Sequence, residues 1–455
     1  MNNNNIPPFN LKPEDFGKDF TWGVSTAAYQ IEGAHNLHNK GVSIWDQFTA
    51  KKGKIQNNEH GQIAVDFYHK YKEDILLMKA MHIKHFRFSL SWTRIFPNGI
   101  GVVNFKGIDF YNKVIDFCLE CGITPWITLY HWGLPQALQE KGGWTNRAIL
   151  GWFEEYVTLC CKKFGDRVKN WMVLNEPMVF TGAGYHLGVH APGEKGLKNF
   201  LPAVHHAVLC QVLGGRIVRS LVSESTIGTT FSCSQITPYS HKPKDILAAD
   251  KADALLNRLF IEPSLGMGYP TENVPVLKRI EKYSKPDDAE NSIFEFDFIG
   301  IQNYTREVVK HNYFIPYIQA RIVKASKRAV KTTLMDWEVY PSSMYNMIKK
   351  FNSYKGVKKI LITENGAAFT DKMKNGTVHD SDRLQYLQTY LQQVHKAQQD
   401  GFNVEGYFVW TFTDNFEWAE GYHPRFGLVY VDFATQKRII KSSGKWFREF
   451  LGKKM

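Results

Sequence analysis

The stretch Ile360-Leu361-Ile362-Thr363-Glu364-Asn365-Gly366 runs from a short apolar segment directly into a carboxylate, an amide and a glycine. A brief apolar run bounded by turn-forming residues reads as a strand buried on both faces, as in parallel sheets. Seven other segments share the pattern: Phe20–Val24, His85–Leu90, Ile123–Tyr130, Trp171–Leu174, Thr226–Phe231, Phe296–Ile301 and Val404–Phe412. Between them lie stretches of helical period, such as Phe67, Tyr71, Ile75 and Met78, then Ile108, Tyr111, Ile115 and Cys118, and later Leu384, Leu387, Leu391 and Val394. Strand and helix alternate without a Pro/Gly/Ser linker, which predicts parallel strands joined by crossover helices. Eight such units predict a closed (β/α)8 barrel of the TIM type, with 16–455 as a single domain with elaborated βα loops and 1–15 as a flexible N-terminal segment. A doubly wound open sheet is the competing architecture, but no G-x-G-x-x-G or P-loop pattern follows an early strand.

The 455 residues are 44% hydrophobic and include twelve Trp, enough for a large core and for a pocket with flat apolar faces. The net charge of +12 is spread along the chain, so the expectation is a basic surface and not a nucleic-acid or membrane-binding face. The first residues lack a basic n-region and an apolar h-region, and no stretch approaches a membrane span, so a cytoplasmic location is expected. Cys118 and Cys121 form an isolated C-x-x-C with no second pair or His at ligand spacing, which reads as helix packing and not as a metal site. The amphipathic, basic segment 314–331 reads as a longer loop or helix walling a cleft.

A barrel gathers its chemistry at the C-terminal ends of its strands. The polar residues there are Arg87 in strand two, Tyr130-His131-Trp132 after strand three, Asn175-Glu176-Pro177 after strand four, Asn303-Tyr304 after strand six, Glu364-Asn365-Gly366 after strand seven, and Trp410 with Glu417-Trp418 after strand eight. Two carboxylates on opposed strands, Glu176 and Glu364, are what hydrolysis of a glycosidic bond requires: one donates a proton to the leaving oxygen and the other faces the anomeric carbon. Two like charges at such a distance cannot both ionise cheaply. Arg87 and the Tyr304 hydroxyl are therefore expected to hold Glu364 anionic, leaving Glu176 protonated. Gln30, His131 and Asn175 are candidate partners for sugar hydroxyls, and Trp410 and Trp418 offer apolar faces for a pyranose.

These residues lie within motifs that resemble glycoside hydrolase family 1, the β-glucosidase group, from about Phe20 to about Phe450. The motifs are Phe20-Thr21-Trp22-Gly23 through Gln30-Ile31-Glu32-Gly33, Leu174-Asn175-Glu176-Pro177 and Ile362-Thr363-Glu364-Asn365-Gly366, with Arg87–Trp92, Asn415–Ala419 and Arg425-Phe426-Gly427 also similar. The resemblance implies a cofactor-free, metal-free, retaining exo-β-glycosidase acting on small β-glycosides or oligosaccharides. It assigns Glu176 as acid/base, Glu364 as nucleophile and Tyr304 as the hydroxyl supporting it. It also assigns Gln30, His131, Trp132, Asn175, Trp410, Glu417, Trp418 and Phe426 to substrate binding and Trp337 to an aglycone platform. β-Glucosides lead, with β-galactosides and β-fucosides not ranked. Glu176 differs from the Gln of myrosinase-like members, and Glu417 from the Ser usual in phospho-β-glycosidases. Two departures, Gln302-Asn303-Tyr304 for the usual Asn-Tyr-Tyr and Ser342-Ser343 for a Gly-Leu, are expected to alter the aglycone edge. A sugar-binding protein without turnover is the alternative, against which the presence of both carboxylates speaks.

Overall fold

The computed structural model of the chain describes residues 9–452. Its centre is a closed barrel of parallel strands: β1 Thr21–Ser25, β2 His85–Ser89, β3 Thr124–Tyr130, β4 Asn170–Asn175, β5 Thr226–Ser232, β6 Phe298–Gln302, β7 Ile360–Asn365 and β8 Val404–Trp410. Each strand pairs with its neighbours in sequence, and β8 returns to β1 with Thr21 opposite Gly406 and Ser25 opposite Trp410. The eight expected strands are the eight barrel strands. Asn175, Gln302, Glu364 and Asn365 fall inside them, because the backbone ladder continues past the last apolar side chain.

Helices α1 Phe67–Ala80, α2 Phe105–Glu120, α3 Ile149–Phe164, α4 Leu197–Leu221, α5 Pro243–Asp253, α6 Ser342–Asn352, α7 Ser381–Gln399 and α8 Ser442–Gly452 form most of the outer layer. On α2 the stripe Ile108, Tyr111, Ile115 and Cys118 is buried as its period requires. On α7 the expected stripe is buried at Leu387, Leu391 and Val394, with Leu384 only half-buried, and the inward face is wider than the stripe, taking in Arg383, Tyr386 and Tyr390. Both tyrosine hydroxyls donate to the backbone carbonyl of Tyr304, at 2.8 and 3.0 Å. Helix α4 is long and apolar enough to cross a membrane by length and composition, which the sequence reading did not anticipate. Its apolar window is 83% buried inside the fold.

Inside the barrel, rings from non-adjacent strands touch: Trp126 of β3 lies edge-on to Phe298 of β6 at 5.8 Å and to Phe408 of β8 at 5.3 Å. With Met172 and Leu361 they form an apolar plug. Gly228 makes room for it, since a Cβ there would sit 2.3 Å from the Phe298 ring. Above the plug the interior turns polar at Arg87, whose Nε donates to Thr128 Oγ1 at 3.0 Å.

Of the segment 1–15 expected to be flexible, residues 1–8 lie outside the described residues, and Phe9 packs edge-on against Trp446 and Phe450 of α8. Segment 314–331 is not a helix. It contributes a short strand, Ala320–Ile322, antiparallel to Arg306–His311, which pairs in turn with Gln235–Pro238. Ala320 is buried with Val309 against Ala248, Ala249 and Ala252 of α5. The basic residues of the segment are partly spent on ion pairs, Arg328 with Glu338 at 2.5 Å and Lys331 with Asp382 at 2.7 Å.

Behind the loops after β7 and β8 lies a buried ionic network. Lys441 bonds Asp371 and, at 2.6 Å, Asp414; Arg383 bonds Asp371 and Asp380; Arg425 bonds Asp414 at 2.7 Å. Three carboxylates balance three cations. Replacing Lys441 by Met would leave two buried carboxylates short of a cation and should lower the unfolding free energy by about 3–5 kcal/mol. Urea denaturation followed by circular dichroism reads this directly, and a loss below about 1 kcal/mol would be that of a solvated surface pair.

Candidate active site

A cavity of about 270 Å³ opens at the C-terminal ends of the strands. Local backbone features aim its two central carboxylates. On β4 the pairing register shifts between Met172 and Asn175, and Glu176 then adopts left-handed geometry at φ 45°, ψ 64°, with Pro177 opening a short helix behind it. On β7 the register shifts between Ile362 and Glu364. Such irregularities at strand ends redirect a side chain that the regular pleat would place elsewhere. Gly366 lets the chain pass β8 closely, since a Cβ there would lie 1.7 Å from the Trp410 carbonyl oxygen.

Three donors converge on Glu364. Arg87 Nη1 donates to Oε1 at 2.5 Å, Gln302 Nε2 to Oε1 at 2.8 Å, and Tyr304 Oη to Oε2 at 2.6 Å. Glu176 has a much poorer set, with Asn175 Nδ2 at 3.5 Å. Burial raises the proton affinity of both carboxyls. For Glu176 the negative charge of Glu364 adds to burial and drives it well above the carboxylate range, with Arg87 opposing; for Glu364, Arg87 and Tyr304 oppose burial. Glu364 therefore gives up its proton first, and Glu176 keeps its own.

Asn175 ties the two halves together. Its Oδ1 accepts from Arg87 Nη2 at 2.5 Å, Gln302 Nε2 at 2.8 Å and Thr230 Oγ1 at 3.1 Å. Its Nδ2 consequently faces His131 Nε2 at 3.0 Å. His131 accepts there and carries its proton on Nδ1, which has no protein partner among the described residues. Burial, reinforced by Arg87, holds His131 well below the usual imidazole range, so the ring is neutral.

On the opposite wall, Gln30 Nε2 donates to the Phe416 carbonyl at 2.9 Å and to Glu417 Oε2 at 3.2 Å, leaving Gln30 Oε1 without a protein partner. Burial, then the charge of Glu364, pushes Glu417 up to about 8. Trp418 is also left-handed, at φ 47°; its ring lies 4.5 Å from both Trp45 and Trp132. Trp132, at φ 75°, donates from Nε1 to the Asn175 carbonyl at 2.9 Å. Trp410 lies 6.0 Å from His131. At the outer edge Trp337 is 5.1 Å from the Tyr304 ring, and Phe426 meets the same ring edge-on at 6.2 Å.

All the expected site residues thus fall in one place. Ten of them line the cavity directly, while Gln30, Arg87 and Asn175 stand behind it and hold those that do. Gln302, Glu307, His190 and Ser232 also line it; of these only Gln302 was named from the sequence, as part of an altered edge and not as a site residue. Gln302 ends β6, where strand-end polarity marks a barrel site, so its signal was present. Glu307 belongs to the sheet outside the barrel, and nothing in the strand pattern points to it. Of the departures expected to alter the cavity edge, Gln302 lines the cavity, whereas Asn303 and Ser343 do not reach it. Both are fully buried, and Asn303 Nδ2 donates to Ser343 Oγ at 3.0 Å while Ser343 Oγ donates to the Thr305 carbonyl at 2.7 Å. They meet behind the wall as a bonded pair, with Asn303 Oδ1 left without a partner among the described residues.

Residues 12–455 match the family model described as glycosyl hydrolase family 1. The chain is 43% identical to a protein named Beta-glucosidase A from Thermotoga maritima, over 96% of this chain and 98% of that one. It is equally similar, at 43% over 96% of this chain and 98% of the relative, to a Beta-glucosidase A from Acetivibrio thermocellus. The solved structure of the Thermotoga maritima β-glucosidase in complex with deoxynojirimycin superposes with a TM-score of 0.92 at 42% identity, covering 95% of this chain and 98% of that one. The paired carboxylates, the barrel that carries them and the match along almost the whole length agree, and this chain belongs to glycosyl hydrolase family 1.

Proposed function

We propose that residues 16–455 form one catalytic domain that hydrolyses terminal β-D-glucosides with retention of configuration. The observation that carries the reading is the unequal pair: Glu364 held by Arg87, Gln302 and Tyr304, and Glu176 left protonated beside it. In the first step a Glu364 carboxylate oxygen bonds to the anomeric carbon as the glycosidic C–O bond breaks, and the Glu176 proton passes to the departing oxygen. The negative charge of Glu364 is lost in the ester, so Glu176 no longer feels it and becomes more acidic. Glu176, now ionised, takes a proton from water; the water oxygen bonds to the anomeric carbon and Glu364 departs as a carboxylate. Two inversions give net retention.

Gln30, His131, Asn175 and Glu417 are the groups assigned to the glycone hydroxyls, and Trp410 and Trp418 to its C–H faces. The free Gln30 Oε1 and His131 Nδ1 support this, since a buried polar atom without a protein partner is satisfied by a ligand or water. β-Galactosides and β-fucosides present nearly the same hydroxyl set to Gln30 and Glu417, and their rates relative to glucosides measure how tightly that pair is held.

Release of nitrophenol from 4-nitrophenyl β-glucoside tests the activity, and a folded protein giving no more than buffer would leave only a sugar-binding role. Glu364→Gly should reduce hydrolysis to background, and azide should restore cleavage of an activated aryl glucoside with formation of the α-glucosyl azide. A β-azide product would remove Glu364 from the nucleophile's role. Glu176→Gln should slow substrates with poor leaving groups by roughly 10²–10⁴-fold while sparing activated ones, and should abolish the alkaline limb of the pH–rate profile.

Tyr304→Phe removes a donor that stabilises the Glu364 anion, so the carboxyl binds its proton more tightly and the acid limb of kcat/KM should move to higher pH. A fall of about 10²-fold in kcat is expected, typical of losing one preorganised donor at a charged centre. An unmoved acid limb would mean that Tyr304 does not act through Glu364.

A further inference from the structure

We infer that Glu307 determines aglycone specificity, accepting a hydrogen bond from a hydroxyl of a second sugar unit lying against Trp337; this rests on the glucosidase reading above. Glu307 lies three residues past Tyr304, on the strand Arg306–His311 that pairs outside the barrel with Gln235–Pro238. Its side chain lines the same cavity as Glu364, in company with Thr305, Ser234, Met335 and Trp337. The glycone must sit at Glu364, on the barrel rim, so a group on the outer sheet faces what lies beyond the scissile bond.

The carboxyl of Glu307 has no hydrogen bond or ion pair among the described residues. The nearest cations are taken: Arg306 donates to both oxygens of Glu338 at 2.9 Å, and Arg328 donates to Glu338 Oε2 at 2.5 Å. Burial pushes Glu307 up to about 7, Arg328 opposes, and Asp336 and Glu338 add to the rise. A half-buried carboxyl without an internal donor is left to water, and a ligand that displaces that water is favoured when it brings a donor of its own over one that lacks it. In the same cavity the half-buried Trp337 ring supplies a flat apolar face. An aromatic face and a lone acceptor in one cavity suit a pyranose, which presents C–H bonds on one side and hydroxyl donors at its edge. Among the described residues the cavity lining holds Glu176, Glu307, Glu364, Glu417 and Glu420 but no Lys or Arg, so an anionic aglycone finds no counter-charge there.

The test compares cellobiose with 4-nitrophenyl β-glucoside, whose aglycone has no donor. In Glu307→Leu, kcat/KM for cellobiose should fall about 10-fold, the size of one lost hydrogen bond, while the value for the aryl glucoside stays within about twofold. Glu307→Gln, which keeps a carbonyl acceptor, should recover part of the cellobiose activity. Equal changes on both substrates, or none on cellobiose, would overturn the assignment while retained aryl hydrolysis leaves the glucosidase reading intact. No aryl hydrolysis by the unaltered enzyme would sink that reading and this one with it.

Discussion

The site depends on one buried guanidinium. Arg87 is fully shielded from solvent, and a cation so placed is tolerable only when its donors are all engaged. Its Nε bonds Thr128 of β3, its Nη2 Asn175 of β4, and its Nη1 both Glu364 and the Thr363 carbonyl of β7. A single side chain from β2 thereby links three other strands of the barrel at one level. The same charge separates the two carboxyls. Without it, burial would favour protonation of both; with it, one becomes a stable anion, and that anion keeps its neighbour protonated.

From this follows the layering of the barrel. The apolar plug of Trp126, Met172, Phe298, Leu361 and Phe408 excludes water from below, which strengthens every electrostatic contact above it. The polar layer then passes order outwards through Asn175 to His131 and through Gln302 to Thr230. Glu176, Trp132 and Trp418 all have left-handed backbones, conformations that cost free energy for residues with a Cβ. Two of them are held by identifiable contacts, Trp132 through its bond to the Asn175 carbonyl and Trp418 between neighbouring indoles. The buried ions around Lys441 anchor the loops that carry Glu417, Trp418 and Phe426.

Much of this was legible in the sequence because barrel strands advertise themselves twice, by an apolar run and by the polar residues that follow it. All eight strands were found on that basis, as were most of the cavity residues that sit on or just after them, Ser232 at the end of β5 being an exception. What escaped was of two kinds. Periodicity placed Leu387, Leu391 and Val394 on the buried face of α7 but could not show that Tyr386 and Tyr390 extend that face to reach Tyr304. Nor could it find the sheet outside the barrel: the segment 314–331 has a helical charge pattern, yet Ala320 is drawn into a strand by burial against α5, a contact between residues some seventy positions apart. Glu307 was missed for the same reason. Departures from a family motif also proved ambiguous when read singly, since Asn303 and Ser343 have meaning only as a bonded pair.

The net charge of +12 and the acidity of the cavity point in opposite directions, and distance decides which one a substrate feels. Surface lysines and arginines act through water and salt, which screen them beyond about 8–10 Å. The carboxyls of the cavity act across a few ångströms of low-dielectric protein, where the same charge is worth several times more. The basic cations near the cavity are also engaged: Arg87 with Glu364, Arg306 and Arg328 with Glu338, Arg425 with Asp414. A sugar bearing phosphate would bring a second negative charge near Glu364, with no Lys or Arg among the described residues lining the cavity to meet it. A neutral sugar escapes that penalty and brings hydroxyl donors to Gln30 Oε1 and Glu307, which have no protein donor among the described residues, so a substrate in the cavity feels the electrostatics of the cavity more than those of the surface.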